Sequence, residues 1–184
     1  MWTRNSRSKI RERITCTVRK RPGNPRQGII ILANRAIPCA LGRSGILACK
    51  TEGDGATPTG TWQFREVRYR ADRVARPMTR LPVRQTRIHD GWCDAGDDRN
   101  YNRAVFLPYR ASAETMWRDD HLYNIVVVLS HNQCPRMRNR GSAVFVHLNR
   151  DGYTPTEGCV ALSERNLRTL LALCGPGDQI RILS

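Results

Sequence analysis

Hydrophobic and polar positions along the chain follow the two-residue repeat of β-strands over several short stretches. Residues 61–69 alternate aromatic or apolar side chains with polar ones, which predicts a strand with one buried face. Residues 29–32 and 125–129 are wholly apolar and predict buried strands. Similar patterns predict further strands at residues 13–19, 104–107, 143–148 and 178–183.

One segment near the C-terminus has the spacing of a helix. Its apolar positions recur every three or four residues, at Leu167, Leu170, Leu171 and Cys174. Ser163 precedes them and can cap the helix, and Gly175 and Pro176 follow and end it. Residues 71–102 are irregular, as a functional loop or lid would be. The whole pattern predicts a mainly β fold with one clear helix.

The composition fits one globular domain. The 184 residues are 40% hydrophobic, which is enough to bury a core. The longest apolar run, residues 125–129, is too short to cross a bilayer, so no transmembrane segment is expected. The formal net charge of +15 predicts attraction to polyanions such as nucleic acid, anionic lipid or an acidic polymer. Charge alone does not choose among these partners.

Basic residues are densest near the N-terminus, between residues 4 and 26. We therefore divide the chain into a basic N-terminal segment, residues 1–27, which leads into one domain, residues 28–184. The segment is interpreted either as an RNA-binding arm or as a solvated tail. Residues 1–22 lack the apolar stretch of a secretion signal, so a complete chain that is not exported would be cytoplasmic.

The sharpest chemical signal lies between residues 144 and 162. His147 ends a predicted strand, and Cys159 follows twelve positions later, directly after Gly158. A cysteine attacks a carbonyl as its thiolate, and a neighbouring histidine can accept the proton. Gly158 permits a sharp turn, and backbone N–H groups around it could bind the oxyanion that forms. The alternative is a structural role for both side chains, because cysteine is common in protein cores.

This segment resembles the active-site motif of the YkuD-type L,D-transpeptidases, in which a histidine on a strand precedes a Ser/Thr-x-Gly-Cys-apolar block. The matching residues are His147, Thr156, Gly158, Cys159 and Val160. Further blocks resemble the single-domain proteobacterial branch of the family, at residues 50–60 (KTEGDGATPTG), 92–94 (WCD), 101–103 (YNR), 117–120 (WRDD) and 141–145 (GSAVF). Together they span about residues 28–183, so the resemblance covers nearly the whole domain.

The resemblance implies a YkuD-like β-sandwich of two mixed sheets, with the helix after Cys159 packed against one of them. It implies a cysteine acyltransferase that cross-links peptidoglycan stem peptides through a thioester on Cys159. His147 would be the general base, and the Gly158 backbone would contribute to the oxyanion hole. In the usual reaction of the family, the donor carbonyl belongs to the third residue of the stem. Members of the single-domain branch can instead join the first residue, L-Ala, to diaminopimelate, and we expect this 1,3 type. We expect a monomer of the periplasm or cell envelope, with neither cofactor nor metal.

The sequence departs from the family pattern beside the nucleophile. Glu157 stands where many members have histidine, and Ala161 stands where many have arginine. Another basic residue must then bind a substrate carboxylate. The candidates are Arg43, Lys50 and Arg103. Thr156 and Glu157 are also expected to contact substrate, and Trp92 and Tyr101 would either stack on sugar rings or anchor the core.

Two other clusters of polar residues have more than one interpretation. A zinc site could form from His89, Cys93, His131 and Cys134, although loop positions near a cleft explain the same spacing. An acidic loop could hold a cation or an acceptor amine, or pair with Arg99 and Arg103; it contains Asp94, Asp97 and Asp98. Asp119 and Asp120 would cap a turn or position a neighbouring arginine.

Two further functions fit parts of the sequence. An endopeptidase or carboxypeptidase on the same scaffold would release products from single stems without forming cross-linked dimers. A nucleic-acid-binding protein would bind DNA or RNA in a salt-sensitive way and would lack a reactive thiol. Because the motif favours acyl transfer, stem peptides are the expected partner and nucleic acid is not expected.

Overall fold

The structure, a computed structural model, describes residues 12–184. The strands of the first half are β1 (Thr15–Arg21), β2 (Asn24–Leu32), β3 (Arg35–Ala40), β4 (Ile46–Leu47), β5 (Thr57–Pro58), β6 (Gly60–Tyr69) and β7 (Val83–Gln85). Those of the second half are β8 (Asp90–Cys93), β9 (Ala104–Phe106), β10 (Ala113–Thr115), β11 (Ile125–Leu129), β12 (Phe145–Leu148), β13 (Val160–Leu162) and β14 (Gln179–Leu183). A 3₁₀ turn (Asp151–Tyr153) precedes β13, and helix α1 (Glu164–Leu173) follows it.

Nine strands form one mixed sheet in the order β11-β12-β13-β3-β2-β1-β14-β6-β7. The long strand β6 pairs with β14 through residues 60–63 and with β11 through residues 64–69, so the ladder of strands closes on itself. One core cluster takes side chains from opposite parts of this ladder, including Ile30, Val127 and Ile180. The predicted mainly β fold with one helix is therefore confirmed, and its two layers are parts of a continuous sheet.

Strand β11 is buried on both faces, as its wholly apolar sequence predicts. Ile125, Val127 and Leu129 join the main core. Val126 and Val128, on the opposite face, contact a second apolar cluster. This second cluster contains Trp92 of β8, Phe145 of β12 and Cys159. It joins the large sheet to a small sheet with the order β10-β8-β9. The candidate nucleophile thus lies where the two sheets meet.

Helix α1 begins and ends where the sequence predicts. The hydroxyl of Ser163 accepts a hydrogen bond from the backbone N–H of Asn166, at 3.4 Å, which satisfies one of the free donors of the first turn. The helix buries one apolar face in the main core, formed by Leu167, Leu170 and Leu171. Because α1 follows β13 directly, its packing fixes the strand that Cys159 precedes.

The structure differs from the sequence prediction near the N-terminus. Strand β1 lies inside the large sheet, paired with β2 on one side and with β14 on the other. Cys16 and Val18 are buried in the core, whereas the basic residues 19–21 are exposed. Residues 15–27 therefore pack as part of the domain, and the earlier part of the proposed segment, residues 1–11, lies outside the described residues.

Most of the seven cysteines are small buried residues, as expected. Cys49 and Cys134 are exposed, and the other five are buried. No helix within residues 12–184 is long and apolar enough to span a membrane.

Candidate active site

His147 and Cys159 come from neighbouring parallel strands. His147 lies on β12 opposite Ala161 of β13, and Cys159 immediately precedes β13. Both side chains line one cleft of about 500 Å³, together with Ala143 and Tyr123. We call this space the Cys159 cleft. The two residues separated by twelve positions in the sequence are thus brought to one site by the β12–β13 pairing.

The imidazole of His147 is held in one tautomer. Its Nδ1 lies 2.8 Å from the carbonyl oxygen of Leu148, and since a carbonyl only accepts, Nδ1 carries the hydrogen. The Nε2 lone pair is then available as a base. The ring of Tyr123 packs against the imidazole edge-on, with centroids 5.3 Å apart. Burial lowers the pKa of His147 to about 4, so the resting ring is neutral.

The thiol of Cys159 is also neutral at rest. Burial raises its pKa to about 12. The sulfur accepts a hydrogen bond from the backbone N–H of Phe145, at 3.4 Å, and the thiol donates to the carbonyl oxygen of Ala143, at 3.2 Å. The resting pair is therefore a thiol and an imidazole rather than an ion pair. Proton transfer must accompany the attack on a substrate carbonyl.

The turn before Cys159 depends on glycine and two threonines. Gly158 has a φ of +131°, and an added Cβ would lie 2.7 Å from the carbonyl oxygen of Ala56. Thr156 Oγ1 donates to the carbonyl oxygen of Cys159 at 2.7 Å, and Thr57 Oγ1 donates to it at 3.3 Å. These contacts fix the direction of the Cys159 side chain.

The predicted oxyanion role of Gly158 requires a change in this turn. The backbone N–H of Gly158 donates to Thr156 Oγ1 at 3.2 Å. In the resting structure Gly158 therefore supplies the conformation of the turn rather than a free donor. Its N–H would have to exchange the threonine hydroxyl for a substrate oxygen.

The Cys159 cleft carries both signs of charge. Its acidic residues are Glu52, Asp94, Glu114 and Glu157, and its basic residues are Arg118 and Arg150. Burial raises the pKa of Glu114, whose carboxylate accepts a hydrogen bond from the hydroxyl of Tyr123 at 2.6 Å. A zwitterionic ligand, with an ammonium and a carboxylate group, matches this distribution.

Arg118 and Arg150 are the arginines that line the Cys159 cleft. Arg118 forms a two-point ion pair with Asp120, at 2.8 and 2.6 Å, and Arg150 lies 3.8 Å from the same carboxylate. The hydrogen bonds from Arg118 lower the pKa of Asp120 to about 2. Asp120 thus positions a neighbouring arginine, as predicted. No sequence pattern indicates that Arg118 and Arg150 converge, since they come from separate loops.

The three basic residues proposed from the sequence do not line the Cys159 cleft. Arg43 pairs with Glu157 at the rim of the cleft, at 2.6 Å. Lys50 is buried and pairs with Asp54 at 2.6 Å. Arg103 lines a different cleft. Lys50 nevertheless lies close to the nucleophile turn, since an added Cβ at Gly158 would be 3.4 Å from its Nζ. A substrate-binding role for one of these residues, in place of the missing arginine, stays a prediction.

The remaining candidate substrate-binding residues divide between the surface of the cleft and the interior. Thr156 and Glu157 line the Cys159 cleft. Tyr101 is buried and its hydroxyl donates to Glu52, so it is an anchor behind the cleft. Trp92 is buried against Phe145, with ring centroids 5.1 Å apart, and also lines the different cleft that contains Arg103.

This second space, which we call the arginine cleft, has a volume of about 610 Å³. Its arginines are Arg65, Arg103 and Arg136, and its tryptophans are Trp62 and Trp92. Asn102 lines this cleft and is hydrogen-bonded to Ala143, which lines the Cys159 cleft, and we call the residues around this contact the wall between the clefts.

Asn102 uses its whole side-chain amide to hold that wall together. Its Oδ1 accepts from Trp92 Nε1 at 2.9 Å and from the backbone N–H of Ala143 at 3.1 Å. Its Nδ2 donates to the carbonyl oxygens of His131 and Asn132, at 3.0 and 2.9 Å. Since the carbonyl of Ala143 also accepts the Cys159 thiol, Asn102 connects both clefts to the nucleophile.

The acidic loop pairs with a different arginine from the two proposed, and the four residues of the zinc alternative do not form a cluster of ligands within residues 12–184. Asp98 pairs with Arg110, at 3.3 Å, rather than with Arg99 or Arg103, and Asp94 lines the Cys159 cleft. Across residues 12–184, no three or more side chains of histidine, cysteine, aspartate or glutamate converge on a metal-binding arrangement.

Comparison with known families identifies the domain. The sequence model of YkuD, the L,D-transpeptidase catalytic domain, matches residues 26–182. The chain belongs to the YkuD family. No curated protein matches significantly.

Two solved structures resemble this YkuD domain. One is L,D-transpeptidase 1 of Mycobacterium tuberculosis, with 12% identity and a TM-score of 0.42, and the match covers 94% of this chain and 62% of that one. The other is an L,D-transpeptidase from Mycobacterium smegmatis, with 14% identity, a TM-score of 0.42, and coverage of 94% and 59%. The YkuD chain thus spans about three fifths of the length of these two proteins.

Proposed function

We propose that this YkuD-family protein is a peptidoglycan L,D-transpeptidase with Cys159 as nucleophile and His147 as general base. The observation that carries the proposal is the placement of both side chains in one cleft, with the His147 tautomer fixed by Leu148. A neutral imidazole with a free Nε2 is the form that can accept a proton from the thiol.

The first step transfers an acyl group to the enzyme. Cys159 Sγ attacks the carbonyl carbon of a stem-peptide bond while its proton passes to Nε2 of His147. The tetrahedral intermediate collapses, the C–N bond breaks, and the imidazolium gives its proton to the departing amine. The product of this step is a thioester on Cys159 and a released peptide segment with a free amine.

The second step moves the acyl group to another stem. The diaminopimelate amine of a second stem attacks the thioester and loses a proton to His147. The C–S bond breaks, and the imidazolium returns its proton to the sulfur, so the thiol and the neutral imidazole are restored. A diaminopimelate end carries both an ammonium and a carboxylate, which fits the acidic and basic residues of the Cys159 cleft.

The bond formed is of the 1,3 type in this proposal, from the carbonyl of L-Ala to diaminopimelate. The departures at Glu157 and Ala161 support a changed pocket, since the arginine that many family members carry after the cysteine is absent. Arg118 and Arg150 supply positive charge from another side of the cleft. The substrate places the enzyme in the periplasm or cell envelope, and we propose that it acts as a monomer.

Incubation of the purified protein with muropeptides, followed by mass spectrometry, tests this function. We expect a cross-linked dimer from the wild type and none from Cys159→Ala, while Cys49→Ala, which removes an exposed thiol, keeps the activity. Fragmentation of the dimer identifies the joined residues. Cleaved monomers without dimers would favour the hydrolase alternative, because water then replaces the amine. Salt-sensitive DNA or RNA binding without thiol acylation would instead favour the nucleic-acid alternative.

A further inference from the structure

The arginine cleft is outside the proposed catalytic machinery and has an unusual charge composition. Its lining combines Arg65, Arg103 and Arg136 with neutral polar and aromatic side chains, and contains no aspartate or glutamate among the described residues. The Cys159 cleft, in contrast, mixes both signs of charge. A concave surface with three guanidinium groups and no carboxylate attracts an anion.

The three arginines also lack counter-ions. Within residues 12–184, none of them forms an ion pair, whereas the buried arginines Arg68 and Arg70 each pair with a carboxylate at 2.7 to 2.8 Å. Arg136 Nη1 donates to the carbonyl oxygen of Tyr101 at 3.1 Å, but its Nε is buried and has no hydrogen-bond partner. A buried donor without an acceptor costs free energy, and a shift of the Arg136 side chain would let this donor reach an anion bound in the cleft.

Arg103 and Arg136 are close enough to repel each other. Burial and the charge of Arg103 together lower the pKa of Arg136. No acidic residue in the described chain relieves this repulsion at the cleft. The planar fork of a guanidinium group binds a carboxylate through two parallel hydrogen bonds, so a carboxylate between these arginines would remove the repulsion and satisfy the unpaired donor.

The rest of the lining fits an organic anion better than a bare ion. The half-buried ring of Trp62 and the buried ring of Trp92 form an apolar part of the cleft. Gln63, Ser130 and Gln133 add neutral hydrogen-bonding groups. A peptide with carboxylates separated by short aliphatic segments presents both features.

The position of the cleft connects it to the nucleophile. Trp92 and Asn102 line it, and Asn102 holds the backbone of Ala143, whose carbonyl accepts the Cys159 thiol. Trp92 also packs on Phe145, whose N–H contacts the Cys159 sulfur. Because an extended peptide advances about 3.3 to 3.6 Å per residue, a stem of three to five residues is long enough to occupy a cleft of this size.

We propose that the arginine cleft binds a carboxylate-bearing stem peptide of peptidoglycan, as a second substrate-binding site separate from the Cys159 cleft. This inference rests on the proposed function, which supplies the polymer. Arg103 and Arg136 hold this stem peptide while another stem reacts at Cys159.

Calorimetric titration with a stem tripeptide, L-Ala-γ-D-Glu-diaminopimelate, tests the site. The protein carries Cys159→Ala so that no turnover occurs. We expect Arg103→Gln combined with Arg136→Gln to weaken tripeptide binding at least tenfold. The same variant should bind the carboxyl-amidated tripeptide no more weakly than its parent does. Arg35→Gln, which removes an exposed arginine on β3, is the matched control and should leave both affinities unchanged.

Unchanged tripeptide affinity in the double variant, with an unaltered urea midpoint, would overturn the inference. Binding of inorganic phosphate or of a DNA oligonucleotide that depends on these arginines, without competition from the tripeptide, would overturn it as well. Should the double variant not fold, Arg103→Gln alone decides, because this side chain is exposed; a loss of at least threefold is then expected.

The cross-linking assay separates this inference from the proposed function. If the wild type forms dimers and the double variant forms them with unchanged KM, the inference that the arginine cleft binds a stem peptide is wrong and the proposed function stands. If the wild type forms no dimers but tripeptide binding still depends on Arg103 and Arg136, the function fails and the binding site stands.

Discussion

The Cys159 cleft and the arginine cleft share a wall but balance their charges in opposite ways. In the Cys159 cleft, Arg118 is neutralised by Asp120, and the reacting pair itself is uncharged at rest. In the arginine cleft, Arg103 and Arg136 have no counter-ion among residues 12–184. The first arrangement suits chemistry that moves a proton within a dry site, and the second suits capture of an anion from solvent. The difference teaches that a carboxylate compensates positive charge beside the nucleophile, whereas the lining of the arginine cleft contains none.

The largest effect is expected from removing the nucleophile. Cys159→Ala should abolish cross-linking, with a loss of at least about 10³-fold, because no other described thiol lines that cleft. Tripeptide binding in the arginine cleft should persist. Acylation and binding are measured on the same preparation, with Cys49→Ala as control. Residual turnover near the wild-type level would contradict the assignment of Cys159.

The wall between the clefts gives the next largest effect. Asn102→Ala should lower the free energy of unfolding by roughly 2–4 kcal/mol and disturb both clefts, since four buried polar groups lose their partners. Urea denaturation measures the loss. Asn102 has a φ of +55°, so Asn102→Gly separates backbone strain from the missing amide. A change below about 0.5 kcal/mol in both variants would contradict the role of this side chain.

Lowering the pH should reduce the free energy of unfolding through two buried histidines, one at each cleft. Burial lowers the pKa values of His147, in the Cys159 cleft, and of His131, which packs on Trp62 of the arginine cleft, to about 4. A histidine with a lowered pKa in the folded state contributes stability that is present above pH 6.5 and is lost as the pH falls towards 4.

The loss for each histidine is roughly 3 kcal/mol across this window. Urea midpoints at pH 7 and pH 4.5 measure it, and His131→Phe should flatten the pH dependence. An equal slope in the wild type and in His131→Phe would show that protonation of His131 does not contribute.

The smallest effect is expected at the rim of the Cys159 cleft. Arg43 and Glu157 form an ion pair at 2.6 Å, but their side chains are 49% and 78% exposed. Solvent screens such a pair, so Arg43→Gln should change the free energy of unfolding by less than about 0.5 kcal/mol. The change is read from thermal unfolding at low and high salt. A loss above 1 kcal/mol would mean that this rim is part of the structural framework.

The elements predicted correctly are those with a strong local period. Strand β6 and helix α1 each bury one face, which gives their sequences a repeat of two residues or of three to four, and β11 is apolar throughout because both of its faces are buried. Strand β3 was not predicted, because Pro38 and a mixed pattern hide its pairing with β2. Strands β8 and β10 are short and are stabilised by pairing with each other, so no local sequence pattern predicts them.

The candidate site shows the same limit. His147 and Cys159 could be predicted because one short segment carries both residues, and their placement in one cleft agrees with that prediction. Arg118 and Glu114 were missed, since they come from a distant part of the sequence, Glu114 on β10 and Arg118 in the loop that follows it. Arg103 was recognised as a basic residue with a substrate role, but a sequence gives the charge of a side chain without its direction.

The pairing of β1 with β14 determines when the chain can complete its fold. The first and last strands lie side by side, and the backbone N–H of Ile14 donates to Asp178, which is 164 positions away in the sequence. A nascent chain that still lacks β14 leaves the edges of β1 and β6 unpaired. The ladder therefore closes only after synthesis of the last strand, and contacts of such long range make folding slow. Because β14 lies between β1 and β6, a C-terminal truncation of a few residues would be as disruptive as the loss of an interior strand.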